Sequence, residues 1–194
     1  MFVSRWDSVA GGGATTDAAE LEALVGAIRD VVHLHPDWEK TADLVAGALE
    51  RHLPRPAVFT AAQRRGDPDR YQSHVLHAEP DGSFSVLALV WRAGQVTPVH
   101  DHVTWCVFGV IQGVEHEEVF ALDDGADYLM EVGSSTNRTG DVAGFAPPGD
   151  IHRVRNPGPG TAISIHVYGT DISRLGSSVR REYRQPVVAR ATAA

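Results

Sequence analysis

Two periodicities divide the chain. In its first third, Leu21, Leu24, Val25 and Ile28 recur at helical spacing, after the glycines Gly11 to Gly13 and with Thr16 or Asp17 placed to cap the segment. Leu44, Val45, Ala48 and Leu49 mark a second helical face between Asp37 and His52. Pro54 and Pro56 stop that helix, because a proline ring lacks the N–H that the ladder needs. From about Tyr71 to Tyr168 the pattern changes to short β-rich runs: YQSHVLHA, FSVLALVWRA, WCVFGVIQGVEHEEVFAL, YLMEV, DVAGFAPP, HRVRN and AISIHVYG. Turn chemistry separates them, at Pro80-Asp81-Gly82, Ala93-Gly94, Asp123-Asp124-Gly125 and Pro157-Gly158-Pro159-Gly160. Many short strands at regular intervals predict a sandwich or a barrel, all-β apart from the N-terminal helices. The stretch from Gly176 to Ala194 is Arg-rich and then Ala-rich and reads as a short terminal strand or loop; no internal repeat is present.

Composition narrows the class. With 194 residues and 43% hydrophobic content the chain buries one good core. The expectation is one domain over 1–194, with a helical segment at 16–53 and a β-barrel over about 70–188. A net charge of -8 argues against nucleic-acid or anionic-membrane partners, which want clustered cations, and arginine carries nearly all the positive charge there is. One cysteine, Cys106, excludes an internal disulfide framework. No stretch approaches the roughly 18 apolar residues of a membrane span, and the first residues lack a continuous apolar signal core, so a cytoplasmic location is the default. Nothing in the sequence sets an oligomeric state.

The candidate chemistry lies in TPVHDHVTWCVFGVIQG. His100 and His102 stand at i, i+2, and on a strand such a pair projects from one face. A third histidine, His152 in PPGDIHRVRN, contributed from a facing strand, completes a metal site. Three imidazoles suit Zn, Ni, Mn or Cu as well as iron, so ligand type alone does not choose the metal. Asp101 faces away from such a site and reads as a structural hydrogen-bond acceptor. Glu115, Glu117 and Glu118 read as a solvated strand end, and His33, His35, His52, His74, His77 and His116 as surface or capping histidines.

The spacing Gly94-x5-His100-x-His102-x3-Cys106-x6-Gly113 resembles the first cupin motif, with Cys106 where a glutamate ligand is usual. Pro147-x-Gly149-x2-His152-x3-Asn156 resembles the core of the second, with Gly140 one residue further upstream than in the common form. That resemblance implies a small jelly-roll β-barrel with the metal inside its mouth. A further signature is Ser164-x-His166-x-Tyr168, which places three polar groups on one face of a strand. With the HDH pair, the GDIHRV segment and Tyr71, it resembles the thiol dioxygenases of the cysteine dioxygenase family, nearer the bacterial-type members, over roughly Tyr71 to Tyr168.

The resemblance implies one mononuclear Fe(II) held by His100, His102 and His152, O2 as co-substrate, and a relay of Ser164, His166 and Tyr168. It implies addition of both oxygen atoms to the sulfur of a small thiol, giving a sulfinate, with cysteine and 3-mercaptopropionate as the family's substrates. Cys106 stands where mammalian-type enzymes carry a cysteine joined by a thioether to the relay tyrosine. A Cys106–Tyr168 crosslink is therefore open beside a buried free thiol. The family holds its substrate carboxylate with arginine or glutamine two residues after the tyrosine equivalent to Tyr71. Here that residue is Ser73, which cannot make a bidentate clamp. Gln72 and His74 point to the other face of a regular strand, and Arg180 or Arg181 is placed to reach over the mouth instead. Trp91, Trp105 and Phe108 offer an aromatic wall suited to a larger thiol such as ergothioneine, or are simply core. Two other classes stay open: a non-catalytic metal-binding cupin sensor, and a metalloenzyme acting on carbon substrates.

Overall fold

The computed structural model describes residues 15–34, 37–122, 125 and 127–188. Gly11 to Gly13, His35 and the Ala-rich end lie outside them. The first helix, α1 (Thr15–Val32), begins just ahead of both cap candidates, which fall in its first turn. The second, α2 (Trp38–Arg51), is capped by Asp37, whose side chain accepts from the Lys40 N–H at 2.8 Å. A short α3 (Ala61–Arg65) follows, closed by a reciprocal Thr60–Gln63 capping box.

Among the described residues eleven strands then form two sheets. The first contains β1 (Gln72–Ala78), β2 (Ser85–Trp91), β4 (Cys106–Gln112), β7 (Val142–Phe145) and β9 (Ala162–Tyr168), in the order β1-β2-β9-β4-β7. The second contains β3 (Val99–His102), β5 (Val114–Leu122), β6 (Leu129–Arg138), β8 (His152–Arg155), β10 (Val179–Tyr183) and β11 (Val187–Val188), in the order β10-β3-β8-β5-β6-β11. A one-turn helix, α4 (Ile172–Leu175), links β9 to β10. The expected small barrel is what forms. Among the described residues no helix is long and apolar enough to cross a membrane.

The first sheet is covered on both faces, and its sequence shows why. Val86, Ala88, Val90, Ile163, Ile165 and Val167 pack under Leu24, Ile28, Val45 and Leu49 of the two helices. The alternate residues Leu87, Leu89, Trp91, Cys106 and Tyr168 pack inside the barrel. A strand buried on both sides reads as a nearly continuous apolar run, which is the character of FSVLALVW. Burying each such side chain contributes roughly 1.5–3 kcal/mol, so the helices fix the sheet that carries the relay.

The long run from Trp105 to Leu122 divides at Gly113, where the chain passes from one sheet to the other. Gly113 has φ +79, and a Cβ there would lie 2.9 Å from Ala162 Cα. β6 runs further than the apolar YLMEV suggests, to Arg138, because its polar second half pairs with β5. The C-terminal stretch supplies two strands, β10 beside β3 and β11 parallel to β6.

Candidate metal centre

β3 and β8 are neighbours in one sheet, and His100 stands directly opposite His152. The third histidine therefore comes from the adjacent strand, not a facing one. Directly opposed residues of an antiparallel pair share a face, and His102 lies on that face two residues along. All three imidazoles are buried, and one nitrogen of each lies within 4.8 Å of the others.

Each ring is fixed from behind. His100 Nδ1 donates to the Pro98 carbonyl at 3.0 Å, His102 Nδ1 to Asp150 Oδ2 at 3.1 Å, and His152 Nδ1 to Glu117 Oε1 at 2.6 Å. With Nδ1 so engaged, Nε2 of each ring is the nitrogen left to meet a cation, the usual arrangement behind metal-binding histidines. Burial holds His100 well below the ordinary imidazole value, with His152 and His102 adding to the effect. Burial lowers His102 too, against the opposing pull of Asp150. Burial drives the Asp150 carboxyl up, but its bonds from the His102 side chain and backbone outweigh that and leave it lowered. The centre is thus three buried imidazoles with a carbonyl and two carboxylates behind them. A divalent cation fits it: three convergent nitrogens, each in the correct tautomer, and no positive charge to repel the ion.

β9 supplies the second layer. Ser164, His166 and Tyr168 face inward by strict alternation, while Ile163, Ile165 and Val167 face the helices. Ser164 Oγ lies 2.9 Å from His166 Nε2, and Tyr168 Oη lies 3.3 Å from His166 Nδ1. Trp91 Nε1 donates to Ser164 Oγ at 3.4 Å. Burial pushes His166 down to about 3, with His102 and His152 contributing. It is a neutral ring, donor at one nitrogen and acceptor at the other. Burial raises the Tyr168 hydroxyl well above its ordinary value, with Cys106 contributing. Cys106 stands directly opposite Tyr168 across β4 and β9, and its sulfur lies 3.8 Å from His166 Nδ1. It is a free buried thiol, raised well above its usual value by burial.

His100, His102, His152, His166 and Tyr168 border one cavity of about 440 Å³, in the range of small-molecule sites, with Ser164 held behind His166. Tyr71, Ser73 and Trp91 border it too, and the Tyr71 and Trp91 rings stack with centroids 4.5 Å apart. Gln72 and His74 also reach the cavity, because β1 is the edge strand of its sheet and the mouth opens beside its first residues. His74 is buried, not a surface histidine. Phe108 borders the cavity and stacks on His166, with centroids 5.7 Å apart.

Three expected substrate contacts lie elsewhere. Trp105 packs into the core beneath the helices, on the far side of β4 from Cys106. Arg181 stands opposite Asp101 and donates to its Oδ2 at 3.0 and 2.6 Å, joined there by the Tyr183 hydroxyl at 3.0 Å. That is the acceptor role expected of Asp101, and it takes Arg181 to the outside of β3. Arg180 is exposed at the register shift between Val179 and Arg181 and does not border the cavity.

Three carboxylates at the site escaped the sequence reading, the first of them Asp150 behind His102. Glu117 is the acceptor behind His152, and Glu115 is 1% exposed on the inner face of β5, bordering the cavity. Glu118, half-buried, lies on the other face of β5 and pairs with Arg153 at 2.8 Å. The signal was period two: Glu115, Glu117 and Val119 share a face, and Val119 stands opposite His152. Burial, against the pull of the neighbouring Ser164, raises Glu115 to about 7.

Residues 15–177 match the family described as cysteine dioxygenase type I. The chain belongs to that family. The cysteine dioxygenase match takes in both helices, whereas the motifs alone begin at Tyr71. Among curated relatives the chain is similar to cysteine dioxygenase type 1 of Rattus norvegicus, 26% identical over 156 residues that cover 79% of this chain and 77% of that protein. The enzyme of the same name from Homo sapiens is 24% identical over the same shares. Among solved structures, a cupin 2 conserved barrel domain protein from Salinispora arenicola superposes with a TM-score of 0.41 at 22% identity, covering 61% of this chain and 89% of that one.

Proposed function

We propose that this cysteine dioxygenase family member is an iron-dependent thiol dioxygenase, its barrel and helices forming one cupin domain. The observation that supports this most directly is the convergence of three buried histidines, each fixed through Nδ1, with an unbroken Tyr168–His166–Ser164 chain in one cavity. His100, His102 and His152 would hold one Fe(II), which would supply a site for a thiolate and the electrons for reducing O2, the product of adding both oxygen atoms to sulfur being a sulfinate.

The protein's part is to place protons and exclude water. Three imidazole ligands would leave a bound divalent cation its full charge, which would favour a thiolate over a thiol in the adjoining position. Tyr168 presents its hydroxyl to that position. His166 accepts from Tyr168 at Nδ1 while donating from Nε2 to Ser164, or carries its proton on Nδ1 and accepts from Ser164; the two tautomers set whether Tyr168 donates or accepts towards the substrate. With its imidazole pushed to about 3, His166 shifts between these forms without charging. The Leu87, Leu89 and Phe145 walls keep bulk water from the sulfur.

Cys106 and Tyr168 are directly opposed cross-strand partners, a placement that supports a thioether between Sγ and the Tyr168 ring. Its formation removes two hydrogens, which O2 accepts, and intact-protein mass reports the loss. The cavity volume and the Tyr71–Trp91 stack also support a thiol larger than cysteine, ergothioneine among them. The deciding experiment loads the protein anaerobically with Fe(II), offers a panel of thiols, and follows O2 uptake and sulfinate. Consumption of O2 coupled to one sulfinate per O2 is the expected result; no thiol-dependent uptake with any of them refutes the reading.

A further inference from the structure

The charge of the thiol is decided at the rim of the cavity. β10 runs antiparallel to β3, and Glu182 stands directly opposite His100. Opposed residues share a face, so Glu182 follows His100 inward, and its side chain borders the cavity. Its neighbours Arg181 and Tyr183 point the other way and are both engaged with Asp101. The charge this strand turns towards the metal ligands is therefore a carboxylate. Among the described residues Glu182 has no hydrogen bond or ion pair, so it is available to a ligand.

The rest of the rim agrees. Among the described residues Arg70 is the one arginine bordering the cavity, exposed ahead of β1, and Asp67 borders it from the same loop. Ser73, where a carboxylate clamp was expected, is uncharged. Two carboxylates thus stand against one guanidinium, and the fixed charge disfavours an anionic substrate. Tyr71 lies near Glu182, whose charge adds to burial in raising the phenol. An aromatic face beside a carboxylate is the surface that recognises an alkylammonium group.

We propose that the cavity selects thiols carrying a cationic nitrogen, small aminothiols above all, with the ammonium group held between the Glu182 carboxylate and the face of Tyr71. This rests on the reading above only in taking the three histidines as the place where sulfur binds. An ammonium group gains severalfold in affinity from an exposed carboxylate and about as much again from an aromatic face, together about tenfold.

Cysteamine, 2-mercaptoethanol and 3-mercaptopropionate share one short chain and differ in charge at its end. Their binding to the anaerobic Fe(II)-loaded protein, measured by calorimetry, is expected to weaken in that order, by about tenfold or more across the series. Glu182→Gln is expected to lower the cysteamine to 3-mercaptopropionate affinity ratio about tenfold, and Glu182→Lys to invert it. Glu182 is exposed, so its variants are expected to fold, which thermal melts check. A wild-type preference for 3-mercaptopropionate that Arg70→Gln abolishes overturns the proposal and gives the selecting role to Arg70. A ratio that Glu182→Gln leaves unaltered also overturns it. If the charge order holds in binding while no thiol consumes O2, the dioxygenase reading fails and the selection stands. If O2 is consumed best with 3-mercaptopropionate, the reverse is true.

Discussion

Glu115 places an ionisable group where water cannot reach it. It is 1% exposed, neither carboxylate oxygen has a hydrogen-bond partner among the described residues, and Ser164 and Trp91 lie beside it. Burial moves its carboxyl from 4.5 to about 7, which costs about 3 kcal/mol of folding free energy once the pH exceeds both values. The sign follows from proton binding. Below pH 4.5 both folded and unfolded chains hold the proton and nothing is lost; between 4.5 and about 7 the unfolded chain releases it and the folded chain does not. Above that, the folded chain carries a buried anion. Stability from this group therefore falls as pH rises through that window. Glu115→Gln keeps the shape and removes the titration. Urea denaturation of the metal-free proteins from pH 4.5 to 8 should show the variant gaining on the wild type by about 3 kcal/mol across the range, with little difference at the acid end. A difference that stays constant with pH, or a variant that loses ground as pH rises, would refute the reasoning.

Three further outcomes follow from the same geometry. His152→Ala should abolish stoichiometric iron binding, whereas Tyr168→Phe should retain iron and slow turnover; loss of iron from the second would count against its place outside the ligand set. Glu117→Gln frees the back of His152 and should weaken metal affinity about 10- to 100-fold in a competitive chelator titration, since such partners orient the ring; unchanged affinity would contradict it. Gly113→Ala forces a positive φ on a side chain that meets Ala162 backbone at 2.9 Å, and should cost about 1–3 kcal/mol in urea denaturation.

The centre was legible because its spacing is that of a strand. His100 and His102, and Ser164, His166 and Tyr168, lie two residues apart, so alternation alone put each set on one face. What alternation could not supply was which face is inside. VEHEE reads as solvated because acids usually are; only the pairing of β5 with β8 turns Glu115 and Glu117 inward. The C-terminal arginines failed for a related reason. A register shift between Val179 and Arg181 exchanges the faces of β10, sending Arg181 out and Glu182 in, and a single irregular residue leaves no mark in composition. Trp105 precedes Cys106 by one residue, which assigns it to the helix side once Cys106 is known to face the cavity.

The clasp of Arg181 and Tyr183 on Asp101 has an effect beyond holding an edge strand. Asp101 sits between two of the metal-site histidines, and the same five residues of β10 that neutralise it also carry Glu182 to the rim. Peeling that strand away would strip the Asp101 carboxylate of its partners beside His100 and His102 and would remove the carboxylate that Glu182 turns to the cavity. Metal retention and substrate choice therefore share one short piece of backbone. A tag, truncation or graft at this strand would alter both together, and an engineer wishing to change one alone would have to work from β1 and the loop before it.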